Sequence, residues 1–145
     1  MNPILKNVLA VIAGWIGGSV VNMGLIQIGY NLYPIEGIDP ANMEALAEVM
    51  PTLGAEHFIF PFLGHAFGTL VGAAIAAMIA ATHRMKFALG IGALFLLGGI
   101  AVNVMLPGPT WFAAVDILLA YIPMAWLGGK LGMRITGGKS DVELG

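Results

Sequence analysis

The sequence predicts an all-α integral membrane protein with four transmembrane helices. Of its 145 residues, 59% are hydrophobic and 10% are charged, which leaves too few polar side chains to cover a water-soluble domain of this size. Long stretches without a formal charge approach or exceed the roughly 20 residues that one span needs. If the chain crosses four times, all its basic residues fall on one side: Lys6, Arg84, Lys86, Lys130, Arg134 and Lys139.

The uncharged stretches place the spans at about 8–30, 58–81, 87–106 and 111–129. Together they form a single membrane domain, 1–135, followed by a flexible cytoplasmic tail, 136–145. Because positive charge is retained on the cytoplasmic side, we expect both termini inside the cell. The first span lacks a small-x-small cleavage site near its end, so we expect it to be retained rather than removed as a signal peptide. The expected location is the cytoplasmic (inner) membrane of a bacterium.

The loop after the first span carries five of the eight acidic residues and no basic residue. Asp39 and Pro40 predict a helix start, and Pro51 predicts its end. Apolar residues recur between them at helical spacing, which predicts a short amphipathic helix at about 40–50 on the outer surface. This helix is either an interfacial connector or a lid over an opening between the spans. The acidic outer face argues against nucleic acid as a partner.

Glycine spacing predicts where the helices pack. The first span carries Gly14 and Gly18, and the second carries Gly64, Gly68 and Gly72, each four residues from the next. Helices in lipid associate where small residues let their backbones approach closely. The helix that covers this stripe could belong to the same chain or to a second copy, so besides the lipid bilayer a homo-oligomeric partner stays open.

A set of polar residues at similar depth, in the outer half of the spans, predicts a solute-binding site. Its members are His65, Asp116, Asn103, Asn22 and Gln27, with Tyr30, Glu56 and His57 at the rim. An ionisable group in lipid costs about 2.5 to 3.5 kcal/mol and normally faces a partner or a water-filled cavity. Because no span holds a Lys or Arg, Asp116 must be neutralised by a proton, by His65 or by a bound cation.

The polar residues also have a structural explanation, in which Asp116 hydrogen-bonds across the bundle and holds the helices in register. Metal binding is undecided: His57, Glu56, His65 and Asp116 are suitable ligand types, but no metal-binding motif joins them. We expect no cofactor. The sequence does not support a serine nucleophile beside His65. Pro123 predicts a bend in the fourth span below Asp116.

Three function classes follow from these observations. The first is a small multi-pass protein that binds or translocates a small polar or cationic solute, of unknown identity, through an outward-facing site. The second is a non-catalytic assembly or scaffold subunit of a membrane complex. The third is an intramembrane enzyme acting on a lipid-soluble substrate. The sequence favours a non-catalytic protein over an enzyme.

Overall fold

The computed structural model describes residues 1–137, and this part of the chain is all-helical, with four segments long and apolar enough to span a membrane. The all-α class and the prediction of four helices that could span a membrane are therefore confirmed. The helices are α1 (Pro3–Leu32), α2 (Met43–Val49), α3 (Glu56–Ile79), α4 (Arg84–Met105), α5 (Thr110–Leu119) and α6 (Ile122–Ile135). Lys139 and most of the predicted tail, 136–145, lie outside the described residues.

The bundle is organised around α3, which packs against α1, α4 and α6. Its contact with α1 is made by glycines on both helices. A Cβ atom added to Gly72 would lie 2.6 Å from the carbonyl oxygen of Gly14, and one added to Gly68 would lie 2.8 Å from that of Gly18. Real Cβ atoms do not approach backbone oxygens this closely, so side chains are excluded here. The glycine stripe of α3 is thus covered by α1 of the same chain.

A second glycine contact joins α3 to α6. Gly128 and Gly132 of α6 are buried and lie against the backbone of α3 at Leu70 and Ala74. A Cβ atom added to either glycine would clash with a backbone carbonyl oxygen of α3. This small-xxx-small pair was not identified from the sequence, although it follows the same rule as the pair in α1.

The fourth span is broken rather than bent. The helix α5 ends at Leu119, and α6 begins at Ile122 with Pro123 in its first turn. Proline lacks the N–H that would continue the helical hydrogen bonds, but the first turn of a helix needs no such donor. The two residues at the break, Ala120 and Tyr121, are buried. The break therefore places a tyrosine, with its polar hydroxyl, in the interior.

Hydrogen bonds tie the helices together at one end of the bundle. The side-chain oxygen of Asn7 in α1 accepts from the backbone N–H of Thr82 at 3.3 Å, and its nitrogen donates to the hydroxyl of Thr82 at 2.9 Å. The buried guanidinium of Arg84 donates to the carbonyl of Met78 at 3.3 Å and to the hydroxyl of Thr136. These contacts bring the start of α1, the α3–α4 connection and the end of α6 to one end. The basic residues of the described chain lie there: Lys6, Arg84, Lys86, Lys130 and Arg134.

The short helix between α1 and α3 starts later than the sequence predicted. Asn42, not Asp39, caps α2, and its side-chain oxygen accepts from the backbone N–H of Ala45 at 3.1 Å. The Asp39 carboxylate instead accepts from the N–H of Ala41 at 2.9 Å, in a turn before the helix. A 3₁₀ turn, Met50–Thr52, continues the chain beyond α2. Pro51 is accommodated in that turn because it stands in the first positions of the new helical segment.

Candidate functional site

Three side chains form a hydrogen-bonded cluster inside the bundle, here termed the His–Asp–Tyr cluster (His65, Asp116 and Tyr121). Nδ1 of His65 lies 2.8 Å from Oδ1 of Asp116. The hydroxyl of Tyr121 donates to the other carboxylate oxygen, Oδ2, at 2.9 Å. The rings of His65 and Tyr121 stack, with centroids 5.8 Å apart and an interplanar angle of 27°. Asp116 has no solvent-exposed surface. Each of its two carboxylate oxygens has a hydrogen-bond partner within the protein.

The helix break makes this cluster. Asp116 lies in the last turn of α5, and Tyr121 immediately precedes α6. In a continuous helix residues five apart point in different directions, whereas residues three or four apart are neighbours. The interruption at residues 120 and 121 turns the Tyr121 ring back toward the carboxylate. His65 reaches the same carboxylate from α3, so the cluster fixes the two halves of the fourth span against the central helix.

The pattern of donors assigns a role to each atom of the cluster. An ionised carboxylate only accepts hydrogen bonds, and the Tyr121 hydroxyl already donates to one of its oxygens. The two hydrogen bonds that Asp116 accepts take the place of a counter-charge when Asp116 is ionised and His65 is neutral; in that state Nδ1 carries the hydrogen that is donated to Asp116, and Nε2 is left as an acceptor. This tautomer is assigned from the hydrogen-bond network. Nε2 forms no hydrogen bond with any residue between 1 and 137.

A cavity of about 140 Å³ lies beside His65, between α1, α3, α4 and the segment that contains α2. The His65 side chain is 13% exposed and lines this cavity. His65 is therefore the point at which the otherwise buried cluster reaches open space. Apolar side chains form most of the remaining wall, among them Ile26, Leu46, Met50, Leu53, Leu106 and Phe112.

The other predicted solute-binding residues differ in whether they line this cavity. Asn103 lines it, and its Nδ2 donates to the carbonyl oxygen of Gly99 at 2.9 Å. Asn22 does not line it. Its Oδ1 is buried without a partner in the described chain, against Gly64 in the α1–α3 contact. Gln27 is exposed and donates to Asn31 at 3.4 Å on the same helix. The structure thus brings His65, Asp116 and Asn103 to the site region and leaves Asn22 and Gln27 elsewhere.

Two of the three predicted rim residues also line the cavity, namely Tyr30 and His57. Nε2 of His57 lies 3.7 Å from Oε1 of Glu56, whose side chain is largely exposed. The ring of Tyr33 packs edge-on against that of His57, with centroids 6.4 Å apart. Aromatic and imidazole rings thus surround the cavity at the end where α3 begins.

Sequence reasoning missed Tyr121 and Thr69. Tyr121 is 1% exposed, and its ring stacking and hydroxyl bond complete the cluster. The hydroxyl of the fully buried Thr69 donates to the carbonyl oxygen of His65 at 2.7 Å, which satisfies it within α3. A signal for Tyr121 did exist, since Pro123 two residues later favours a helix start and hence a break near the tyrosine.

In residues 1–137 no group of three or more His, Asp or Glu side chains is arranged to hold a metal ion. The four candidate ligands fall into two separate pairs, His57 with Glu56 and His65 with Asp116. Comparison of the chain with protein families, with curated proteins and with solved structures found no match.

Proposed function

We propose that this protein binds a small solute in the cavity beside His65, as a multi-pass protein of the membrane. One observation carries the proposal: His65 is the only member of the His–Asp–Tyr cluster that lines the cavity, and its Nε2 has no partner in the described chain. A ring held in one orientation by a buried carboxylate presents a fixed polar contact in a mostly apolar pocket. Such pockets, with few convergent polar groups, are the usual form of small-molecule sites.

The proposed site faces the outside of the cell. The five basic residues of the described chain lie at the opposite end from α2 and the start of α3, and positive charge is retained in the cytoplasm. The cavity is lined by Leu46 of α2 and by His57 near the start of α3. A solute would therefore enter from the outer side, where acidic residues are concentrated.

The scaffold alternative accounts for only part of this geometry. It explains Asp116 and Tyr121, which are buried and bonded to each other as a helix-registering contact would be. It does not require a cavity at His65, nor a ring nitrogen of His65 that has no partner in the described chain. The glycine contacts that could have joined a second copy are used between α1, α3 and α6 of one chain.

Filling the cavity tests the proposal. Ile26→Trp introduces a large ring into the wall, whereas Ile28→Trp places the same ring on the exposed face of the same helix. With protein in lipid nanodiscs, we expect fluorobenzene to show a slowly exchanging bound ¹⁹F resonance in the wild type and in Ile28→Trp, but not in Ile26→Trp. Equal spectra for all three proteins would show that fluorobenzene only partitions into lipid, and the proposed site would be rejected.

The same geometry favours one second function, acid–base catalysis on a lipid-soluble substrate. A histidine that lines a pocket, with Nδ1 held by a carboxylate and Nε2 without a partner in the described chain, is arranged as a general base. Catalysis would require substrate turnover that His65→Gln abolishes, since the amide offers a hydrogen-bonding group without a basic nitrogen. Binding that survives in His65→Gln, without any turnover in the wild type, would leave solute binding as the function.

A further inference from the structure

We infer that the solute is a neutral molecule, about the size of one six-membered ring, that carries a hydrogen-bond donor such as a hydroxyl group. This inference rests on the proposed function and names the chemical class that its site would accept. It depends on the size of the cavity, on the hydrogen-bonding capacity left in its wall and on the location of the nearby charges.

The size of the cavity limits the solute to a few heavy atoms. Its volume of about 140 Å³ is close to that of an engineered cavity of about 150 Å³ that binds benzene. Leu46 and Phe112, which are buried, contribute apolar surface to its wall. The part of the solute inside the cavity is therefore a compact apolar group.

Two wall residues beside the cluster, His65 and Asn103, offer acceptors, whereas the hydroxyl of Tyr30 on the same wall can also donate. Nδ1 of His65 is used by Asp116, which leaves Nε2 as a lone-pair acceptor in the neutral ring. Asn103 uses its Nδ2 group to donate to Gly99 in its own helix, which leaves Oδ1 as an acceptor. An apolar solute would leave these acceptors without partners, which costs free energy in a dry pocket. A solute that carries an O–H or N–H group would satisfy one of them.

The charges near the cavity favour a neutral solute. Asp116 is sealed behind His65, and both of its oxygens are occupied. The exposed carboxylate of Glu56 lies against His57. A bound cation would lose its hydration without direct contact with Asp116, because His65 and Tyr121 occupy both carboxylate oxygens. The site therefore suits a hydroxyl compound better than an ammonium ion.

Three probes of similar size separate the candidate chemistries: phenol, which donates; anisole, which only accepts; and benzylammonium, which is charged. Their binding is measured by calorimetry at neutral pH on the full chain in nanodiscs, with Ile26→Trp nanodiscs to subtract partitioning into lipid. We expect phenol to bind about tenfold more tightly than anisole, the effect of one net hydrogen bond. His65→Phe should reduce this preference, because it keeps a ring but leaves Asn103 as the only one of the two acceptors.

The outcomes distinguish the inference from the proposed function. If phenol and anisole bind equally, or benzylammonium binds most tightly, the inferred class is wrong while the cavity remains a binding site. If none of the probes binds the wild type more than Ile26→Trp, the proposed function fails and the inference fails with it.

A second measurement tests the acceptor without any probe. The ¹⁵N shifts of the His65 ring distinguish a protonated Nδ1 from a protonated Nε2, and the remaining histidines, His57 and His83, are assigned by substitution with Gln. We expect Nδ1 of His65 to carry the hydrogen in wild-type protein. A hydrogen on Nε2 would make that atom a donor and overturn the inference.

Discussion

Two faces of α3 hold their neighbours by different means. Toward α1, Gly64, Gly68 and Gly72 allow backbone to lie against backbone, and the contact runs along several turns. Toward the fourth span, His65 makes one directed contact with Asp116 beside a cavity. The glycine face leaves no room for a side chain at Gly64, Gly68 or Gly72, whereas the histidine face leaves room for a small molecule. The glycine face therefore holds the bundle together, and the histidine face borders the proposed binding site.

The largest effect is expected from a side chain placed in the glycine face. In Gly68→Leu the new Cβ would lie 2.8 Å from the carbonyl oxygen of Gly18, so α1 must move away. We expect a loss of about 3 kcal/mol in the free energy of unfolding, at the upper end of overpacking effects. Reversible unfolding in SDS mixed micelles measures it.

The control is Gly98→Leu, where nothing lies within 4 Å of the added Cβ. We expect it to be neutral or slightly stabilising, because leucine has the higher helix propensity. Equal losses from both substitutions would show that the α1–α3 contact does not depend on the absence of side chains.

A smaller loss is expected on the histidine face. Tyr121→Phe removes the hydrogen bond to Asp116 and keeps the ring that stacks on His65. Hydrogen bonds between membrane helices average about 0.6 kcal/mol and reach about 1.7 kcal/mol, so we expect a loss of about 1 kcal/mol. Tyr33→Phe, which removes a hydroxyl from an exposed tyrosine, should cause no change. A Tyr121→Phe loss as large as that of Gly68→Leu would make the cluster a main structural element and strengthen the scaffold alternative.

Leu46→Ala should change access to the cavity more than stability. Leu46 is 2% exposed, lines the cavity and belongs to the short helix α2. Because the long helices pack with one another without α2, we expect the unfolding midpoint to shift less than in Tyr121→Phe. Hydrogen exchange in residues 42–53 should become faster, as should exchange of bound fluorobenzene. Unchanged exchange at both places would exclude α2 as a cover of the cavity.

The smallest effect is expected for Gln27→Ala. Gln27 is exposed, and its one hydrogen bond, of 3.4 Å, is to Asn31 in the same helix. We expect a change within about 0.5 kcal/mol in unfolding free energy and unchanged phenol binding. Weaker phenol binding in this variant would place the solute on the exposed face of α1, outside the cavity beside His65.

Part of the site could be predicted from the sequence, because the depth of a residue in the membrane follows from its position along a span. Counting residues from the membrane boundary put His65 and Asp116 in the outer half of their spans, and the absence of basic residues there required a partner for the carboxylate. The same count included Asn22 and Gln27, because depth does not specify the direction in which a helix faces. In the structure Asn22 lies in the α1–α3 contact and Gln27 is exposed.

The sequence alone determined the number of spans, the separation of basic from acidic residues and the small-residue face of α3. These follow from composition and from spacing within one helix, which need no knowledge of neighbours. Tertiary structure decided that α1 covers that face, that Gly128 and Gly132 pack on another side of α3, and that Tyr121 completes the cluster. The physical reason is that helix pairing in lipid depends on many weak contacts between distant segments. A helix break and a cavity arise only once those segments are placed together.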